Sequence, residues 1–549
     1  MIWLMGLAGA VLARRRVAAL HSQARPLAAA LLLMAAGGSV WLALELTDRP
    51  RVSAGFVPSE PPNMPIGEGR GVYPGRVVWV YEPDVTRWDG RTGDWWDDEN
   101  TDPELTDLMV SEALRSLAGQ RTDAEAWDAL FRYFNRTVNG VDRGYQAGEK
   151  IAIKLNMNQD RNNGAPWRLG AGMPSPQVIH SLIGQLINVV GVAGRDIVLY
   201  DATRYIGDPI FDKIHYDANP EFQQVRLVVV PWMAINGREK AYEGTGAFVH
   251  FAYPGLPNGG NAWVARCAVE AAYLINMALP RSHESFGMTA TAKNHFGSIK
   301  FPEQPWGPGP LHNTGGRVVP LGTYSCLVEL IGSKHLGGKT LLYIADALYP
   351  AVDNSGEVIP FRAFDNDWCS SLFMSQDPVA IDSVCLDFLG DEPASLYVQR
   401  GLGLDNYLHE AALAYDPPSR TLYRPDGIPL PSLGVHEHWN NPIDRQYSRN
   451  LGLDAGIELV AVRLRRAGEL DADLVSDGVV DERDLAAFCR GWLAVPGDSS
   501  WSESLDLSGD QRTDFRDWAS LAREWGGRTR PWEMNAGPDR GRAALYEGR

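Results

Sequence analysis

Apolar and polar positions change their spacing along the chain, and this spacing predicts an α/β fold. From residue 76 onward, short runs rich in β-branched residues alternate with helical patterns, which is typical of a mostly parallel sheet flanked by helices. Strands are predicted at 77–81, 150–155, 196–200 and 340–344. Between the second and third strands, Val178, Leu182 and Leu186 recur at helical spacing, with Ser175 as the cap. This strand–helix–strand unit should be right-handed.

Polar residues follow three of these predicted strands directly. Asn156 and Asn158 follow the second strand, Asp201 the third and Asp346 the fourth. In open α/β sheets, ligands bind beyond the carboxyl ends of the strands, so these side chains are candidates for a site. Asp and Asn also cap turns and helices, and a single residue of this kind is more simply explained that way. Several together favour a site.

A second polar group lies in residues 273–300, where an apolar run opens into a short, densely polar stretch. Its ionisable and amide residues are Arg281, His283, Glu284, Lys293, Asn294 and His295. A rigid strand that opens into a polar loop is a common way to present a site. The alternative is a solvated surface loop.

Seven segments occur in the order found in a known family. They are 150–158 (KIAIKLNMN), 175–183 (SPQVIHSLI), 198–202 (VLYDA), 275–283 (INMALPRSH), 289–297 (TATAKNHFG), 344–348 (IADAL) and 375–390 (SQDPVAIDSVCLDFLG). In this order the chain resembles the bacterial and archaeal domain of unknown function 362 family, and the resemblance implies one α/β domain over residues 76–462. That family is named for its unassigned activity, so the resemblance points to positions rather than to a reaction.

The resemblance marks two sets of candidate residues. The catalytic candidates are His283, Lys293, Asp201, Asn294 and Asp377; the cofactor-binding candidates are Lys154, Asn156 and Asp382. Some family members carry ferredoxin-type cysteine clusters. The five cysteines of this chain form no CxxC pair, so no iron–sulfur cluster is expected.

His436 and His438 form a separate candidate. On a strand, two histidines separated by one residue share a face, and with His283 or an aspartate they can ligate a divalent metal. The simpler interpretation is a pair of hydrogen-bonded histidines in a loop.

A duplicated acidic segment ends the chain: DLVSDGVVDERD at 473–484 aligns without gaps with DLSGDQRTDFRD at 506–517. Both fit a calcium loop of the EF-hand type, which needs oxygen ligands at fixed positions. The predicted ligands are Asp473, Asp477, Asp481 and Asp484 in the first loop, and Asp506, Ser508, Asp510, Asp514 and Asp517 in the second. Val475 and Gln511 depart from the ideal loop and should weaken calcium binding.

Paired loop–helix units of this kind resemble the dockerin type I family. The resemblance implies a small all-α module at 470–527 that binds calcium and docks onto a cohesin-like partner. Each unit alone is too small to bury Trp492 or Trp525, so the two units should pack on each other. The alternative is an acidic helical hairpin without metal.

Charge and the N-terminal hydropathy predict an exported protein that does not bind nucleic acid. The net charge of −17 argues against nucleic-acid binding. Residues 27–44 are uncharged and mostly apolar, and four arginines precede them, so residues 1–46 are predicted to be a signal or transmembrane anchor that leaves the rest exported. Secretion after signal cleavage is the alternative. Residues 47–75 are a Pro/Gly-rich linker, and 528–549 a disordered tail.

Together these features predict an exported, membrane-tethered protein whose α/β domain is an enzyme or a ligand-binding domain. Acid–base chemistry would fall to His283 and Asp201, while Lys293 would neutralise an anionic substrate. The alternative is a non-catalytic cell-surface protein that binds a glycan or acts as a scaffold.

Overall fold

A computed structural model describes most of the α/β domain and part of the C-terminal module. The described residues are 56–157, 172–314, 319–353, 358–395, 398, 404–465, 472, 474–475, 479–496, 498, 500–502, 505–507, 512–526 and 528–529. The predicted anchor, residues 1–46, lies outside them. Within the described ranges, no helix is both long and apolar enough to span a bilayer.

The strands are numbered in chain order. They are β1 (Ile66–Gly67), β2 (Arg76–Tyr81), β3 (Ile151–Leu155), β4 (Ile197–Asp201), β5 (Arg226–Val229), β6 (Glu239–Lys240), β7 (Glu243–His250), β8 (Asn261–Ala265), β9 (Tyr273–Ala278), β10 (Arg281–His283), β11 (Gly287–Thr289), β12 (Ile299–Lys300), β13 (Thr340–Ala347), β14 (Ser371–Ser375), β15 (Val435–His436), β16 (Glu458–Arg465) and β17 (Arg528–Thr529). The predicted strands correspond to β2, β3, β4 and β13.

One ten-stranded sheet, in the order β17-β16-β2-β14-β13-β9-β3-β4-β5-β6, forms the centre of the domain. Its strands are parallel except for β14, which runs antiparallel to both of its neighbours. The prediction of a mostly parallel sheet flanked by helices is confirmed. β17 lies where the tail was predicted to begin.

Helices cover both faces of the sheet. They are α1 (Pro103–Ala118), α2 (Asp123–Val138), α3 (Pro176–Gly184), α4 (Asp208–His215), α5 (Arg266–Glu270), α6 (Thr291–Asn294), α7 (Cys326–Gly332), α8 (Pro378–Asp391), α9 (Asn406–Ala412), α10 (Glu482–Arg490) and α11 (Phe515–Glu524). Helices α1 to α4 pack on one face, and α5 to α9 with the β7–β8 hairpin pack on the other. Successive residues of a strand point to opposite faces and so enter different cores. Ile153 packs in the core under α1 to α4, and Ala152 packs in the core under α5 to α9.

The order of the strands reverses between β3 and β9. From β3 the chain proceeds to β4 and β5 on one side, and later returns to place β9 on the other side of β3. Loops that leave such neighbouring strands diverge, which opens a crevice at their carboxyl ends. The fold therefore places a crevice directly after Leu155 and Ala278.

The two C-terminal loop–helix units pack on each other around a small core of Ala472, Val480, Phe488 and Leu521. Leu493 N donates to Thr513 O at 2.7 Å, which joins the units through their backbones. The expectation that Trp525 is buried in this contact is wrong, because its side chain is 47% exposed. The smaller Leu521 fills the core instead.

Candidate functional site

A polar pocket of about 160 Å³ occupies the crevice at the strand reversal. Side chains from the ends of β3, β4 and β10 and from α6 line it. The lining residues are Asn156, Met157, Asp201, Thr203, Arg204, Arg281, His283, Thr289, Lys293, Asn294, Phe296, Gly297, Pro308 and His312. We call this pocket the switch-point cleft.

A buried ion pair forms the floor of the switch-point cleft. Lys154 Nζ lies 3.0 Å from Asp201 Oδ2 and donates to Asn294 Oδ1, also at 3.0 Å. Lys154 is fully buried, so its charge depends on these partners. Gly297 makes the approach possible, because a Cβ atom there would lie 2.5 Å from Lys154 Nζ and 2.6 Å from Asp201 Oδ1. Lys154 thus links β3 to the end of β4 and to α6 beneath the cleft.

Asn294 connects this floor to the neighbouring strands. Its Nδ2 donates to Asn276 Oδ1 at 2.8 Å and to Met277 O at 3.0 Å. Asp382, from α8, accepts the backbone N–H groups of Thr291 and Ala292, the first residues of α6. Asp382 therefore positions α6 from outside the lining of the cleft, and its role in cofactor binding stays a prediction.

Cationic side chains dominate the wall of the switch-point cleft. Arg281 is 1% exposed, and its hydrogen bonds to described residues go to two neutral oxygens, Gly172 O at 3.3 Å and Asn156 Oδ1 at 3.2 Å. Burial lowers the pKa of Arg281 to about 10, and the charge of Asp353 acts in the opposite direction. Arg281 Nε is buried with no hydrogen-bond partner among the described residues. Arg204 also lines the cleft, and among the described lining residues the one carboxylate, that of Asp201, is paired with Lys154. The electrostatic balance favours an anionic ligand.

Lys293 is 9% exposed and faces this pocket beside two aromatic rings. Its Nζ lies 4.6 Å from the centre of the Phe296 ring and 5.4 Å from that of Phe286. Within the described residues, Lys293 makes no salt bridge. Burial, reinforced by the charge of Arg281, lowers the pKa of Lys293 to about 7. The amine and ammonium forms of Lys293 are therefore both present near neutral pH.

His283 lies across the cleft as a neutral imidazole. Burial, with the charge of Lys293, holds the pKa of His283 well below its usual range. Ser285 N donates to His283 Nδ1 at 3.0 Å, which leaves the proton of the neutral ring on Nε2. His283 is thus arranged as a hydrogen-bond donor rather than as a base.

Asp201 is poorly arranged for the role of base that the sequence suggested. Oδ2 accepts from Lys154 and from Met157 N, while Oδ1 accepts from the backbone and hydroxyl of Thr203. With both oxygens engaged, Asp201 has little free capacity to remove a proton from a ligand. Its contacts suit a residue that positions Lys154.

Asp377 lies outside the switch-point cleft, contrary to expectation. It follows β14, whose antiparallel direction carries its carboxyl end to the opposite edge of the sheet. There Asp377 caps α8 through Val379 N and Ala380 N, and it accepts from Arg70 N at 2.8 Å. The Asp-Pro-Val-Ala motif that drew attention to Asp377 in the sequence is therefore the start of a capped helix.

The structure thus brings Lys154, Asn156, Asp201, His283, Lys293 and Asn294 together, and their functional roles remain predictions. His436 and His438 do not join His283; they lie between β1 and α8. Several lining residues were missed, among them three ionisable ones: Arg204, Arg281 and His312. Arg281 was noticed in the polar stretch but not selected, and His312 follows a proline- and glycine-rich loop that carries no recognisable motif.

The calcium-loop candidates are only partly described. Asp473, Asp477, Ser508 and Asp510 lie outside the described residues. Asp481 and Asp514 cap α10 and α11. Asp484 and Asp517 are fully buried and accept from those two caps, while Asp506 is half-buried in the second loop.

Residues 151–387 match the family model described as Domain of unknown function (DUF362). This match supports the resemblance for the central domain and runs from the start of β3 to Asp387 within α8, which includes every residue of the cleft floor. No curated protein matches the chain.

Proposed function

We propose that the switch-point cleft binds a small compound that carries a carboxylate or phosphate group, and that the α/β domain catalyses proton transfer on it. The observation that carries this proposal is Lys293, a buried cation with no salt-bridge partner among the described residues, set beside Arg281 in an open pocket. Burying a cation without a partner is unfavourable, and an anionic ligand offsets that cost.

Three side chains divide the proposed chemistry. Arg281 and the ammonium form of Lys293 hold the anionic group of the ligand. The ammonium form of Lys293 then gives its proton to the bound ligand, since a pKa of about 7 suits a general acid at neutral pH. His283 Nε2–H donates to an oxygen on which negative charge develops. The alternative of a neutral glycan site is less well supported, because a neutral ligand needs no buried cation.

The proposed cellular setting rests on the two ends of the chain. The apolar stretch 27–44 after several arginines supports an exported protein tethered to the cytoplasmic membrane, or one secreted after cleavage. The paired acidic loop–helix units support a dockerin-like module that binds calcium and docks onto a cohesin-like protein.

Anion binding should weaken as the pH rises through the pKa of Lys293. Sulfate is a suitable probe, because its own charge is constant between pH 6 and 9. We expect the affinity of the full chain for sulfate, measured by calorimetric titration, to be highest near pH 6 and to fall above about pH 7 as Lys293 loses its proton. Bound sulfate favours the ammonium form and should displace the midpoint upward. A pH-independent affinity would contradict the proposal.

Calcium should stabilise the C-terminal module. Each loop gathers several carboxylates that repel one another unless a cation binds them, so ligand binding adds to the folding free energy. When calcium is added to the full chain after treatment with a chelator, the melting temperature of one transition should rise. In the variant that combines Asp477→Ala with Asp510→Ala, calcium should no longer change that melting temperature. Glu482→Gln, an exposed residue at the start of α10, is the matched control and should behave as wild type. If calcium leaves the wild-type melting curve unchanged, the module is a metal-free hairpin.

A further inference from the structure

Five metal-ligating side chains meet on the face of the sheet that α8 and α9 cover, and we call them the histidine–carboxylate cluster. They are Glu60, Asp405, His409, His436 and His438. One ligand atom from each of Glu60, Asp405, His409 and His436 lies within 4.8 Å of the others. His438 Nε2 lies 3.7 Å from Glu60 Oε1 and 3.6 Å from Asp405 Oδ2. The cluster shares no residue with the switch-point cleft.

Hydrogen bonds from outside the cluster orient its histidines. Ser383 Oγ lies 2.8 Å from His436 Nδ1, and the Asp387 carboxylate contacts His438 Nδ1. These contacts direct the Nε2 atoms of both rings toward Glu60. A carboxylate behind a histidine is the usual support of a metal ligand, because it fixes the ring and increases its basicity.

The carboxylates of the cluster are also held in place. Ser59 donates to Asp405 through its backbone N–H and its hydroxyl, both at 2.8 Å. Asp387 in turn accepts from Tyr447 at 2.8 Å and from Trp439 N at 3.1 Å. The ligand atoms are therefore fixed by a second layer of contacts, as a metal site requires.

Among the described residues, three inward-facing atoms of the cluster find no hydrogen-bond partner. They are Glu60 Oε1, His436 Nε2 and His438 Nε2, and all three are buried. The distance from His436 Nε2 to Glu60 Oε1 is 2.9 Å, yet the two atoms do not meet in hydrogen-bond geometry. Leaving buried polar atoms unpaired is costly, and one cation between them would satisfy all three.

We propose that the histidine–carboxylate cluster binds one divalent first-row transition-metal ion, for which Zn²⁺ is the best match. Imidazole nitrogens with carboxylate oxygens suit Zn²⁺ and its neighbours, whereas Ca²⁺ and Mg²⁺ prefer oxygen ligands alone. At bond lengths near 2 Å, tetrahedral ligands stand about 3.3 Å apart, comparable to the separations in the cluster.

The site is a closed, structural one. His436 and His438 are at most 1% exposed, and only the Glu60 and His409 side chains, at 15% and 11%, reach the surface. Glu60 belongs to the segment before β1, while the other ligands come from residues 405–438. The metal would therefore fasten the part of the predicted linker that contains Glu60 onto the α/β domain.

The test uses the full chain, stripped with a chelator and reloaded with Zn²⁺ or Co²⁺. We expect about one equivalent to remain after desalting, a rise in melting temperature with Zn²⁺, and visible absorption from the Co²⁺ form. His409→Gln and Glu60→Gln, at the exposed rim, should each weaken binding at least tenfold. His215→Gln replaces a histidine that stacks on Phe211, outside the cluster, and should bind as wild type does.

Two results would overturn the proposal. One is a stripped protein that is folded by circular dichroism and takes up neither metal. The other is metal binding that is unchanged in both rim variants, which would place the ion elsewhere, such as in the C-terminal loops. If a variant fails to fold, X-ray absorption of the Zn²⁺-loaded wild type decides instead, because the site requires at least two imidazole ligands in the metal's shell.

Discussion

Replacing Lys293 with methionine should weaken sulfate binding by one to two orders of magnitude at pH 6.5. A charge-assisted hydrogen bond to an anion contributes about 1.5–3 kcal/mol, and Lys293 supplies one of the buried cations of the cleft. Methionine retains most of the side-chain volume beside Phe296 and Phe286. The variant should be at least as stable as wild type in urea, because it removes a buried charge. Calorimetric titration measures the binding.

Lys150→Met is the matched control for this experiment. Lys150 directly precedes β3 but is exposed, and its Nζ lies 3.4 Å from Glu270. It should bind sulfate as wild type does. Equal sulfate affinities in the two variants would mean that general surface charge, rather than the cleft, attracts the anion.

Replacing Asp201 with alanine should destabilise the domain by about 3–5 kcal/mol, because the change leaves Lys154 buried without its counter-charge. It also removes the acceptor for Met157 N and for Thr203, whose backbones shape the cleft. Urea unfolding of the full chain, followed by tryptophan fluorescence, measures this loss.

The double variant Lys154→Met with Asp201→Ala tests the cause. If the uncompensated charge is responsible, removing Lys154 as well should recover part of the lost stability. A single Asp201→Ala variant within about 1 kcal/mol of wild type would contradict the central role of the ion pair.

Part of the cleft could be predicted because some of its residues follow directly from strand ends. Asn156 and Asp201 end runs that could only be buried strands, and parallel strands bring their carboxyl ends to one edge. Asp377, which the resemblance marked, lies elsewhere because β14 runs antiparallel, and nothing in the sequence of β14 reveals that direction. Strand direction depends on partners that are distant in sequence.

The roles of the residues were harder to predict than their positions. Asp201 can act as a base or as the ion-pair partner of Lys154, and its hydrogen-bond partners decide between these roles. Those partners are residues far apart in the chain, so the sequence does not reveal them. Glu60 shows the same limit. It lies in a segment that reads as a linker, yet its carboxylate contacts three histidines from 409–438.

A crystal structure of the full chain with bound selenate tests the central claim most directly, because selenium identifies the anion by its anomalous signal. The account predicts a peak in the switch-point cleft, within hydrogen-bond distance of Lys293 Nζ and Arg281, at concentrations that saturate binding in solution. Selenate bound only at other positions, with none in the cleft under those conditions, would contradict it.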